Sequence, residues 1–267
     1  IGTNSTRLLV ADVEGDRVDA IRRHSQVTGL GRGVEITGQL AIENVESVYA
    51  TIGDYVAEAQ ELGAERTVAF ATSAVRDASN GDVFLAELRE RFSLDAQVID
   101  GLEEARMTYR GALSGGHVGE QTLVVDIGGG STELIVGSGE EPEFHTSMQV
   151  GVVRHSERHV HAAPPKTEEL EALSDDVGGT LETELAAHPG LRADRAIAVA
   201  GTPAPLAAIE LGLERFEPDV VEGHHLSLAS AQQSCSRLAS LPLAERCEVT
   251  GMHPDRAPTI VAGVVIL

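Results

Sequence analysis

The 267-residue chain is 42% hydrophobic but only 3% aromatic, with no Trp, so its cores must be built from Val, Leu, Ile and Ala, and the composition argues against disorder. Its 42 acidic residues against 20 basic ones give a net charge of −22, which argues against general binding to nucleic acid or to an anionic membrane. Cys235 and Cys247 have no partners at zinc spacing and suit a reducing cytoplasm, and no apolar run reaches the roughly eighteen residues of a membrane span.

The first predicted element is a strand over Ile1–Val13, turning at Glu14-Gly15-Asp16 and returning over Arg17–His24. Asn4, Ser5 and Thr6 place an amide and two hydroxyls at the turn, followed by Arg7; the group reads equally as a phosphate cradle or as plain turn chemistry. Gly29–Gly38, with Arg32, reads as a glycine-rich loop. Ile42, Val45, Val48, Tyr49, Ile52, Val56 and Ala59 fall on one face of a helix that Gly63 stops. A strand over Arg66–Ala71 leads into Thr72-Ser73-Ala74-Val75-Arg76-Asp77. Arg76 there is either a ligand contact just past a strand end or a salt-bridge partner of Asp77.

A helix over Val83–Phe92 and a strand over Ala96–Asp100 precede Gly101-Leu-Glu-Glu-Ala-Arg106, which opens a helix to about Leu113. Adjacent carboxylates in a first turn commonly complement the helix dipole, but one at a strand–helix junction can also take a proton from water. Ser114–Glu120, glycine-rich and short, is the expected linker, giving domains 1–119 and 120–267. Thr122–Gly137 then reads as a hairpin with a Gly128–Gly130 turn, either an ordinary glycine turn or an anion cradle. Asp126 and Glu133 flank it, within reach of a hard cation.

After the hairpin, Gly139–Pro142 turns the chain and Glu143–Ser147 adds a strand. Gly151–Arg154 enters a helix carrying His155 and His159 at i, i+4, which read as metal ligands or, more simply, as part of a solvated or phosphate-facing basic face. Further helices are expected over Thr167–Ala187 and Ser227–Leu238, a strand over Ala196–Ala200, a loop-rich passage over Leu241–Arg256, and a buried helix opening in Thr259–Leu267. An internal repeat ties the two halves together. Ile1–Val10 aligned with Ile127–Val136 is identical at Ile, Gly, Ser, Thr, Leu and Val, so the chain holds two versions of one hairpin, consistent with duplicated subdomains. The partner of Asp126 in the first version would precede Ile1, which is not a Met, so a trimmed start is expected.

Together Ile1–Val10, Ala71–Asp77 (ATSAVRD), Asp100–Arg106 (G-x-E-E-A-R) and Val125–Glu133 (DIGGGSTE) resemble the exopolyphosphatase and guanosine pentaphosphate phosphatase family. Gly151–Arg154 with Glu157, Ala200–Thr202 and Arg256–Gly263 follow in that family's order. The resemblance implies an α/β fold of two RNase H-like domains of the actin, sugar-kinase and heat-shock-chaperone type, with a cleft between them. It implies hydrolysis of terminal phosphates of inorganic polyphosphate with Mg²⁺, or with Mn²⁺ in its place. It makes Glu104 the base that activates water and Arg76 its catalytic partner on phosphate. Asp126 and Glu133 become the metal residues, and Thr3, Asn4, Ser5, Arg7, Ser73, Gly128, Gly129, Gly130 and Ser131 the phosphate contacts. The close alternative is a guanosine pentaphosphate 5′-phosphohydrolase. Gly201-Thr-Pro-Ala-Pro-Leu206, poor in Thr, leans towards polyphosphate. A sugar-kinase-like kinase and a non-catalytic phosphate sensor are the remoter readings, and a homodimer is compatible with any of them.

Overall fold

The structure is a computed structural model that describes residues 1–15, 17–114 and 119–267. Asp16 of the expected first turn and residues 115–118 of the expected linker lie outside the described residues. The chain forms two compact units, Ile1–Asp100 and Gly101–Leu267.

In the first unit, β1 (Ser5–Glu14) and β2 (Arg17–Val27) make an antiparallel ribbon, with a bulge between Val10 and Ala11 that the alternation of the sequence does not announce. A four-residue helix, α1 (Val34–Thr37), lies inside the expected glycine loop, bounded by Gly33 and Gly38 at positive φ. The long amphipathic helix is α2 (Ile42–Glu61), and β3 (Val68–Ala71) runs into α3 (Ser73–Asp77). Next come α4 (Gly81–Phe92) and β4 (Asp95–Val98), which pairs with β3 in parallel. Val48, Tyr49 and Ile52 of α2 meet Phe84, Leu85 and Leu88 of α4 in a core with Ala71, Ala74 and Val75. Tyr49 stacks on Phe84 at 5.5 Å between ring centres.

The second unit opens with α5 (Gly101–Leu113). Its four-stranded sheet has the order β7-β6-β5-β8, from β5 (Thr122–Ile127), β6 (Thr132–Gly137), β7 (Phe144–Met148) and β8 (Arg195–Ala200), with β8 parallel to β5 and the rest antiparallel. Alternation divides the side chains between two faces. Ile127 and Leu134 pack against α6 (Val152–His159), α7 (Thr167–Ala187) and, after the intervening helices, α12 (Ile260–Ile266). Val124 and Ile135 on the other face pack under Ala105, Tyr109 and Leu113 of α5. That packing is why the units divide at Asp100 and Gly101, where sequence reasoning expected a boundary at the glycine-rich linker: the apolar face of α5 is committed to the second sheet.

Between β8 and α12 run α8 (Pro203–Glu210), α9 (Pro218–Val221), α10 (Leu228–Ser240) and α11 (Leu243–Cys247), then a 3₁₀ turn over Pro254–Arg256. The last two elements stand in the passage expected to be loop-rich. They are fixed by Arg246, which is buried and donates to the carbonyls of Leu238, Leu241 and Ala257. No helix among the described residues is long and apolar enough to cross a membrane.

Candidate active site

The two versions of the repeated hairpin close by the same bond. Gly2 N–H donates to the Ser5 carbonyl at 2.9 Å, and Gly128 N–H donates to the Ser131 carbonyl at 2.9 Å. This turn is why the first strand begins at Ser5 and not at Ile1, whose amino group instead donates to the Phe70 carbonyl.

In both turns the carbonyls are held from behind. The Gly128 carbonyl accepts from Val152 N–H, the Gly129 carbonyl from Val153 and Arg154 N–H, and the Gly130 carbonyl from Arg154 Nε. A trans peptide sets C=O and N–H on opposite sides, so the N–H groups of Gly129, Gly130 and Ser131 face away from α6, side by side. Successive N–H groups presented in this way form an anion-binding concavity. Glycine is needed across from them: a Cβ on Gly151 would lie 2.4 Å from the Gly129 oxygen and 2.4 Å from the Gly130 carbonyl carbon. In the first unit the Thr3 carbonyl accepts from Gly31 N–H, and the Asn4 carbonyl from Thr28 and Gly29 N–H, so the peptides of Asn4 and Ser5 are turned likewise.

Beside the second turn, the register aligns a polar rung across the sheet. Asp126 of β5 pairs with Glu133 of β6, which pairs with Ser147 of β7; all three share the face covered by α5. Ser147 Oγ donates to Glu133 Oε1 at 2.7 Å. Thr108 Oγ1, on α5, donates to Asp126 Oδ2 at 3.1 Å. Glu104 lies one helical turn before Thr108, hence on the same face of α5. Glu133 is 2% exposed. Burial first, then the nearby Glu104 carboxylate and the Asp126 charge, push its carboxyl up to about 7, against the opposing hydroxyls of Ser147 and Ser131.

The sites inferred from sequence therefore separate by unit. The second unit brings Glu104, Asp126, Glu133 and Ser131 into one neighbourhood next to Gly128, Gly129 and Gly130. In the first unit, Thr3 and Asn4 are buried and Ser73 is buried at the start of α3; Gly31 is wedged between the side chains of Thr3 and Ala74. Asn4 is 7% exposed, and its Oδ1 has no hydrogen-bond partner among the described residues. Arg76 donates to the Ile99 carbonyl at 2.9 Å, and Ser73 Oγ donates to Asp77 Oδ2 at 3.3 Å. Ser5 is half-buried, and Arg7 is exposed on the face of β1 opposite buried Thr6.

Thr108 and Ser147 are members of the site that sequence reasoning missed. Thr108 was detectable as the i+4 neighbour of Glu104, whereas Ser147 depends on the β6–β7 register. Among the described residues no group of three or more His, Cys, Asp or Glu side chains is arranged to hold a metal. His155 and His159, weighed as ligands from their spacing, converge instead on Asp176 of α7.

The family model described as the Ppx/GppA phosphatase family matches residues 9–267. The chain is 34% identical to exopolyphosphatase 2 of Mycobacterium tuberculosis, with all of this chain and 86% of that protein aligned. It is 25% identical to a guanosine-5'-triphosphate,3'-diphosphate pyrophosphatase of Photobacterium profundum, covering 52% of that protein. Among solved structures, an exopolyphosphatase-like protein superimposes with a TM-score of 0.94 at 32% identity, over 99% of this chain and 83% of the other.

Proposed function

The chain belongs to the Ppx/GppA phosphatase family and is a hydrolase with that family's two-domain, actin-like α/β fold, and from this premise we propose that it is an exopolyphosphatase acting in the cytoplasm, releasing orthophosphate from the ends of inorganic polyphosphate. The observation that carries the proposal is the acidic rung of Asp126 and Glu133 under Glu104, set beside a turn whose N–H groups are aimed as a row.

Phosphoryl transfer asks little covalent chemistry of a protein; it asks for positioning and for charge neutralisation. The N–H groups of Gly129, Gly130 and Ser131 receive the oxygens of the terminal phosphate. Glu104 takes a proton from water, whose oxygen forms the new bond to phosphorus as the bridging P–O bond breaks and its electrons stay with the shortened chain. Asn4, Ser5, Thr3 and Ser73, with the Arg76 and Arg7 guanidiniums, are the first unit's phosphate contacts.

Asp126 and Glu133 supply only oxygen donors, as Mg²⁺ or Mn²⁺ requires, and Mg²⁺ is commonly held by one or two carboxylates together with substrate phosphates. Such a cation would offset charge on the phosphate oxygens. The proton that burial favours on Glu133 is what a cation would displace.

A second reading, a guanosine pentaphosphate phosphohydrolase, is favoured by the Photobacterium profundum relative. The Pro and Ala of Gly201–Leu206 offer a nucleoside few hydroxyl contacts, which favours polyphosphate. The test is phosphate release from long-chain polyphosphate, tripolyphosphate, guanosine pentaphosphate and ATP, each with and without Mg²⁺. Release confined to guanosine pentaphosphate would replace the first reading by the second, and release from none would reject both.

A further inference from the structure

We propose that His155, buried behind the glycine turn, is a positioning residue for phosphate binding, holding Gly151 against the Gly129–Gly130 peptide in its neutral form; this rests on the reading of that turn as the phosphate cradle. His155 is 1% exposed and grips Gly151 at both polar atoms. Its backbone N–H donates to the Gly151 carbonyl at 2.9 Å, and its Nδ1 accepts from Gly151 N–H at 3.3 Å. An Nδ1 that accepts carries no proton, so the neutral ring bears its hydrogen on Nε2, which faces Asp176 Oδ2 at 3.6 Å. Gly151 in turn lies against the Gly129–Gly130 peptide, and the next two N–H groups, of Val152 and Val153, hold the Gly128 and Gly129 carbonyls. Anything that moves Gly151 moves the N–H row.

A proton added at Nδ1 would set two donors against each other, N–H facing N–H. The charges around the ring are Asp176 from α7, with Arg158 and His159 from its own helix; α12, which also packs on α6, has no ionisable side chain. Asp176 is itself engaged by His159 Nε2 at 2.8 Å and by Arg158 at 2.9 Å, and its carboxyl is held below the usual range first by the His159 contact. Burial outweighs the Asp176 charge and keeps the His155 ring below its ordinary 6.5. The neutral ring is thus the form present at neutral pH, and binding weakens only on acidification.

The experiment compares His155→Asn, whose amide oxygen can replace Nδ1, with His155→Gln, whose amide oxygen lies one methylene farther out, at the reach of Nε2, and with His155→Leu, which has no acceptor. KM and kcat for polyphosphate are measured from pH 5 to 8, with thermal unfolding run in parallel. His155→Gln and His155→Leu are expected to raise KM by about tenfold with kcat little changed, the effect of leaving one backbone N–H unsatisfied. His155→Asn is expected to stay near the unaltered KM and to lose the acid rise in KM. Should His155→Leu fail to fold, the Asn and Gln pair decides. Equal KM values and an unchanged acid limb in Asn and Gln variants would overturn the role of His155 alone. Absence of phosphate release by the unaltered protein would overturn the functional reading and this role with it.

Discussion

Replacing Glu133 by Gln should make the cation-free protein more stable at alkaline pH. In the folded chain burial, Glu104 and Asp126 raise this carboxyl from an ordinary 4.5 to about 7. A group raised on folding contributes stability that is fully present below its unfolded value and lost as pH climbs through its folded value. At about 1.4 kcal/mol per pKa unit, the ionised side chain costs on the order of 3 kcal/mol above pH 7 relative to its neutral form. The substituted amide is neutral at every pH, and its oxygen can still accept from Ser147, so the variant escapes that cost. Urea unfolding with a chelator present, from pH 4.5 to 8.5, should show the two proteins diverging between pH 4.5 and 7 and running parallel above. Mg²⁺ should then narrow the gap by stabilising the unaltered protein more than the variant. Curves that stay parallel across the whole range would refute the electrostatic reasoning about this rung.

Glu104→Gln should fold normally and lose phosphate release by roughly 10²- to 10⁴-fold, the range of a general base; a kcat equal to that of the unaltered chain would remove Glu104 from the reaction. Gly151→Ala, with a Cβ forced against backbone on Gly129 and Gly130, should raise KM for polyphosphate far more than it changes the near-neutral pH dependence, as steady-state kinetics would read. Arg246→Leu leaves two buried carbonyls and one part-buried carbonyl without their donor and should lower unfolding stability by about 2–4 kcal/mol in urea, with the short helix at Leu243–Cys247 lost first by hydrogen exchange.

The glycine turn, the strand on either side of it and the facing of Asp126 with Glu133 were legible in sequence because a tight hairpin fixes its own register. The repeat at Ile1–Val10 was legible too, and its shared Gly-to-Ser closure is what the structure adds. Ser147 was not, since its pairing with Glu133 runs through a longer connection whose register no local pattern sets. A helix from Gly101 to about Leu113 was expected, but the expectation of a helix does not say which sheet receives it, so the division between units came out at a different place. His155 read as part of a solvated or phosphate-facing basic face, and its burial was not foreseen, because spacing alone carries no information about burial.

With its carbonyls fastened to α6, the Gly128–Gly130 turn keeps one shape although its sequence is the most permissive possible. The conformational entropy that three glycines would otherwise surrender to an incoming anion has already been given up during folding. Discrimination among phosphate ligands must then come from the remainder of each ligand and not from adjustment of this loop, and its rigidity should persist in order parameters measured with the anion absent.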